Sequence, residues 1–286
     1  MLQPLAFADA WYPTGKSLEN LFTTLFSNVK DKPIEGKVKA VISPHAGYRH
    51  CAETASHAFA TIDPSLYSRV IIMGPSHRLP IDYCTISEAK SFETPTRSLE
   101  IDPIAEELTS KYGSIFKKLS IETSNREHSL ELMLPWIDYI FKGKNVTVVP
   151  IMVGHLDQTK LEQAVSALKP YINDPSTLLV ISSDFTHWGS RFSYTYLPEK
   201  DGEIWEKISA IDHGAMEAIS TCKAKNFQDY IKSTRATICG RNPITIAMMA
   251  FDKPYRVDWP HYSQSSHAKN MADSSVSYAG GVIRFV

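Results

Sequence analysis

The sequence is poor in the features that identify most chemistries at a glance. Its four cysteines, at 51, 84, 222 and 239, form no C-x-x-C and no framework spacing. That argues against a zinc ribbon or a disulfide scaffold and predicts a reducing, intracellular setting. No apolar run is long enough to span a bilayer, and Met1 to Ala10 lacks the basic start and longer apolar core of a signal peptide. The expectation is no membrane insertion and a cytoplasmic location, with nuclear presence open to a protein of this kind. Neither sign of charge is in excess: 30 Lys and Arg stand against 31 Asp and Glu, with no basic block. Nucleic-acid binding therefore has no electrostatic footprint. No H-E-x-x-H, no G-x-S-x-G and no Walker or Rossmann glycine pattern occurs. These absences remove the common zinc protease, serine hydrolase and nucleotide-binding readings.

What is present is a repeated strand–loop–helix pattern. Apolar runs at 38–42, 69–73, 146–153 and 178–181 predict buried strands, and S-V-S-Y-A-G-G-V-I-R-F-V closes the chain as a further strand entering the sheet. Helices are predicted over 18–29, 52–62, 103–112, 157–172, 202–220, 226–236 and 244–251, with 81–101 irregular or strand-like and 260–266 a polar loop. With no linker or composition break, 1–286 is expected to be a single α/β domain with a central mixed, largely parallel sheet flanked by helices.

The chemistry-bearing residues cluster where those strands end. His45 follows the first strand in P-H-A-G-Y, His77 follows the second in G-P-S-H, and Asp184 follows the fourth in S-S-D-F-T-H-W-G, with His187 three residues on. Ligands of open α/β sheets bind at the carboxyl ends of the strands, so two such histidines can converge on one crevice. Asp184 and His187 can ligate a metal, or the Asp can orient the His as a general base. Glu127 and His128 precede an apolar helix, where a polar group faces either solvent or a site. Cys239, in I-C-G-R-N-P-I-T, precedes a helix expected to be capped by Asn242 with Pro243 as its first residue. The helix dipole and Arg241 then favour its thiolate. Imidazole, thiolate and carboxylate together suit iron, copper or zinc better than magnesium or calcium.

Eight stretches in order, A-W-Y-P (10–13), P-H-A-G-Y (44–48), G-P-S-H (74–77), E-H-S-L-E (127–131), S-S-D-F-T-H-W-G (182–189), I-C-G-R-N-P-I (238–244), Y-S-Q-S-S (262–266) and D-S-S-V-S-Y-A (273–279), resemble the Memo family, mediator of cell motility. The resemblance implies a fold like that of the class III extradiol dioxygenases, which cleave catechol rings at non-haem Fe(II). It implies that His45 and His77 match the two histidine ligands, Cys239 the carboxylate ligand, His187 the acid/base histidine with Asp184 beside it, and His128 a substrate-pocket histidine. A thiolate in place of the carboxylate makes the site softer and argues against ring cleavage. The resemblance accordingly implies an iron or copper site with a redox role, zinc ranking below them, and a link to cytoskeletal signalling and cell motility. A second reading is a metal-independent adaptor for a phosphotyrosine peptide or signalling protein, contacted by Trp11, Tyr48 and Arg241.

Overall fold

The computed structural model describes residues 1–29 and 36–286. Its frame is a nine-stranded sheet in which His187–Trp188, Ser275–Phe285, Val38–Ser43, Thr177–Ser182, Arg69–Pro75, Thr147–Val153, Cys84–Ser87 and Phe116–Leu119 follow one another, and Tyr255–Gln264 also pairs with Ser275–Phe285. The four central strands, Val38–Ser43 through Thr147–Val153, are parallel. The closing strand runs antiparallel to Val38–Ser43, and Cys84–Ser87 runs antiparallel to Thr147–Val153. The sheet is thus mixed and largely parallel at its centre, as expected. A small sheet joins Leu2–Gln3, Ser91–Glu93 and Ser98–Glu100.

Strands buried on both faces lose polar alternation and read as continuous apolar runs. Ile71 and Met73 point into one core with Ile42, Val149, Ile151, Leu179 and Ile181. The helices Gln158–Ile172, Ile204–Ser220 and Arg241–Ala250 cover that core with Leu161, Ile208 and Ile244. Val70 and Ile72 point into the other core with Val41, Val148 and Val180. There Gly15–Asn28, Tyr48–Phe59 and Leu134–Ile140 supply Phe22, Phe59 and Trp136. The architecture is a three-layer α/β/α sandwich.

Two local expectations are corrected. The 260–266 segment is not a free loop: Tyr255–Gln264 is an antiparallel strand against the closing strand, with a register shift between Asp258 and His261 around Pro260. Its residues are nearly all half-buried, so no alternation marked it in the sequence. The helix after Cys239 begins at Arg241, with Gly240 at the N-cap. Asn242 does not cap it; its side-chain amide donates to the Gly154 carbonyl at 2.8 Å.

Trp136 is fully buried and stacks on Phe59 with centroids 5.2 Å apart and planes 5° from parallel. Trp136→Ala is expected to lower the unfolding free energy by about 3–5 kcal/mol. Leu66→Ala, at a side chain 43% exposed, should change it by less than about 0.5 kcal/mol. Urea unfolding of the two variants checks this; equal effects would contradict the placement of the second core.

A candidate metal centre at the strand ends

Parallel pairing sets Ser43 opposite Ser182, Met73 opposite Ile181 and Pro75 opposite Val153. The chain segments that leave these strands therefore emerge along one edge, and they carry His45, His77 and Asp184. His45 is 1% exposed. Its backbone N–H donates to Asp184 Oδ1 at 2.8 Å. Its ring Nδ1 lies 2.6 Å from Ser182 Oγ, and that hydroxyl spends its only hydrogen on the Ser129 carbonyl, also at 2.6 Å. Nδ1 must then be the donor to Ser182, which leaves Nε2 facing the site. His77 is fixed the same way by another partner: its backbone N–H donates to Glu127 Oε2 at 2.6 Å and Nδ1 pairs with Oε1 at 2.8 Å. The Ser129 N–H also donates to that carboxylate, at 3.0 Å.

Cys239 completes the group. Its Sγ lies 3.3 Å from His45 Nε2 and accepts the Asp184 N–H at 3.2 Å. The approach requires Gly240, where a Cβ would sit 2.4 Å from Ser183 Cβ, and the Gly240 N–H donates to Ser183 Oγ at 3.0 Å. One ligand atom each from His45, His77 and Cys239 all lie within 4.8 Å of one another. Burial alone would raise the thiol pKa, but the imidazoles of His45 and His77 outweigh it and bring Cys239 down to about 5. Burial likewise opposes the charged form of His77, yet hydrogen bonds to Cys239 and Glu127 carry it up to about 10. Burial would raise Glu127, and its bond with His77 holds it at about 2. For His45 burial pulls downward, and Cys239 and Asp184 turn the net shift upward. The thiolate therefore owes its stabilisation to the two histidines. Arg241, expected to help, points away, its guanidinium 3.4 Å from His155 Nδ1.

His128 stacks on His77 with centroids 4.7 Å apart and meets His45 edge-on at 5.4 Å. Burial, with the charge of His45 beside it, lowers its pKa to about 3, so it is neutral at pH 7. Trp11 closes over it at 4.5 Å. Glu131 fixes the segment that brings Trp11 there, accepting the N–H groups of Ala6 and Phe7 at 2.9 and 2.8 Å and the Tyr12 hydroxyl at 2.8 Å. His187 shares the cleft with Asp184. Asp184 does not orient it, however: His187 Nδ1 lies 3.0 and 3.2 Å from the carbonyls of Phe185 and Thr237. Its Nε2 is left for the cleft. Tyr48 is also misplaced by the sequence reading. It is 3% exposed, packs among Tyr12, Phe22 and Trp136, and donates its hydroxyl to the Leu132 carbonyl at 2.7 Å.

Trp11, His45, His77, His128, Asp184 and His187 are among the residues that line a cleft of about 940 Å³; Cys239 touches its floor through His45. Sequence reasoning missed Arg49, Arg78 and Arg191, which also line it. Arg49 and Arg78 lie one to four residues beyond the strand-end histidines, a signal that was there to be used. Ser182 and Glu127, which set the imidazole orientations, carried no such mark.

The donor set fits a soft or borderline transition ion: two imidazoles whose Nδ1 atoms are engaged elsewhere, and a thiolate between their Nε2 atoms. The orienting bonds give a test. Glu127→Gln and Ser182→Ala are each expected to weaken Zn(II) binding roughly 10–100-fold, the usual cost of losing an outer-shell partner. Calorimetric titration reads this, and unchanged affinity in both variants would remove these residues from the orienting role.

The profile of the family described as "Memo-like protein" matches residues 3–282. Protein MEMO1 of Danio rerio is 38% identical over 96% of this chain and 95% of its own length. The Homo sapiens protein of that name is 35% identical over the same shares. Protein memo-1 homolog of Caenorhabditis elegans is 38% identical over 96% of this chain and 81% of its own. A crystal structure of an uncharacterized Escherichia coli K12 protein covers 84% of this chain and 98% of its own at 11% identity, with a TM-score of 0.49.

Proposed function

The chain belongs to the Memo-like protein family, and on that premise we propose that it is a metal-binding protein whose cleft holds a redox-capable iron or copper ion on His45, His77 and Cys239. One observation carries the reading: the three ligand atoms lie within 4.8 Å of one another while each imidazole Nδ1 is engaged elsewhere. When bound, such an ion supplies one-electron chemistry and a Lewis-acidic centre. Zinc accepts the same donors without redox chemistry and ranks below the other two.

The chain's own residues provide the setting. Glu127 and Ser182 orient the two imidazole rings through Nδ1, so that Nε2 is the atom directed at the site. Asp184 pins the His45 backbone through Oδ1, and its Oδ2 lies 4.0 Å from His45 Nε2. His187, with Nδ1 spent on carbonyls, offers Nε2 to the cleft as a proton carrier. His128, neutral and packed beneath Trp11, presents an uncharged wall to whatever enters. Ring cleavage is not part of the proposal, because the thiolate occupies the carboxylate's place in the facial arrangement that suits oxygenases. The phosphotyrosine-peptide reading keeps only Trp11 of its three named contacts in the cleft, since Tyr48 and Arg241 point elsewhere. We place the protein in the cytoplasm, with the nucleus open to it, in the motility signalling that the family resemblance implies. No helix among the described residues is long and apolar enough to cross a membrane.

The test is elemental analysis of protein purified anaerobically without a metal-binding tag, beside Cys239→Ser and His45→Ala. Near-stoichiometric iron or copper in the unaltered protein, lost from both variants, is the expected result. Zinc alone would replace the redox part of the proposal. Protein that carries no metal and takes none up when offered either ion would overturn it.

A further inference from the structure

The entrance of the cleft is charged in a way the metal site does not explain. Arg49, Arg78 and Arg191 line it and are exposed, while His45 and Asp184 at the floor are 1% and 4% exposed. Among the described residues, no carboxylate pairs with any of the three guanidiniums. Arg49 Nε donates to His50 Nε2 at 2.9 Å, and Arg191 lies over the Phe192 ring at 4.4 Å. The exposed acid on the same lining is Asp9, which accepts the Thr14 hydroxyl at 2.7 Å. The rim thus carries three positive charges against one negative, above a floor whose donors select a metal cation.

A hydrated dication approaching that rim is repelled before it reaches the donors. Screening weakens the effect without abolishing it at short range, because the Debye length is about 8 Å at physiological ionic strength. A small polycarboxylate reverses the sign: it can carry the ion as a complex of net negative charge, and guanidiniums match carboxylates in bidentate geometry. Clefts lined by one sign of charge raise the arrival rate of the opposite sign by roughly 10–10³-fold.

Resting on the metal-site reading above, we propose that the site is loaded from an anionic polycarboxylate chelate of the metal, drawn in by Arg49, Arg78 and Arg191, and not from the free aqua ion. At the floor the ion exchanges carboxylate oxygens for the imidazole Nε2 atoms and the thiolate, any proton on Nε2 passes to the departing polycarboxylate or to water, and the freed polycarboxylate leaves. No electron is transferred in that exchange.

The experiment follows Fe(II) uptake anaerobically by rapid desalting and elemental analysis. Fe(II) is supplied as citrate complex or as the complex of an uncharged diamine, both buffered to the same free Fe(II) concentration. The full chain is expected to load from citrate at least about tenfold faster than from the diamine, with the advantage shrinking as salt is raised. The triple variant Arg49→Gln, Arg78→Gln, Arg191→Gln should lose most of it. The corresponding triple lysine variant, which keeps the charge, should retain most of it and controls for a folding defect. Equal rates from the two sources, or an advantage that survives in the glutamine variant, would overturn the inference while leaving the metal site standing. Failure to load from either source at any time would remove the metal site and the inference together.

Discussion

The parallel register of the four central strands is the constraint on which the rest of this molecule depends. Ser43, Met73, Val153 and Ser182 are held in fixed offsets by main-chain hydrogen bonds. The first residues beyond those ladders have no choice but to share an edge. Groups 139 residues apart, such as His45 and Asp184, touch there at 2.8 Å. Parallel strands demand helical crossovers, and the crossovers bury both faces of the sheet. The rigidity that positions the histidines and the apolar character of the strands have the same origin.

The candidate centre is assembled as much by its outer contacts as by its ligands. Ser182 Oγ and the Glu127 carboxylate each engage one Nδ1 atom, Ser182 while donating its own hydrogen to the Ser129 carbonyl, and this turns both Nε2 atoms toward Cys239. Two imidazoles beside a sulfur outweigh its burial and make it a thiolate. Gly240 removes the side chain that would keep that sulfur from the strand ends. The floor thereby combines soft donors with a buried carboxylate, and the rim adds three guanidiniums of the opposite sign. That separation of charge by depth distinguishes the cleft from a general anion pocket.

Much of this was legible in the sequence, for a physical reason. Strands buried on both faces leave long V-I-I-M-type runs, so 38–42, 69–73, 146–153 and 178–181 were all recognisable, and the residues just past them could be placed without knowing the fold. Tyr255–Gln264 was not recognisable, because a half-buried strand interrupted by Pro260 has neither alternation nor a continuous apolar run. Side-chain direction was the other limit. Tyr48 and Cys239 both stand next to a turn by the site, yet Tyr48 is the first residue of a helix whose apolar face points into the core. Arg241 follows Cys239 by two residues and leans toward His155. Proximity along the chain gave the neighbourhood of the site, and the packing of each helix decided which side chains enter it.

The central claim is that a thiolate and two imidazoles hold one ion. X-ray absorption spectroscopy at the metal edge of the reconstituted protein tests it most directly. The account predicts one sulfur scatterer at bonding distance together with the multiple-scattering signature of two imidazoles, and loss of the sulfur shell in Cys239→Ser. A first shell of nitrogen and oxygen alone, unchanged by that substitution, would contradict it.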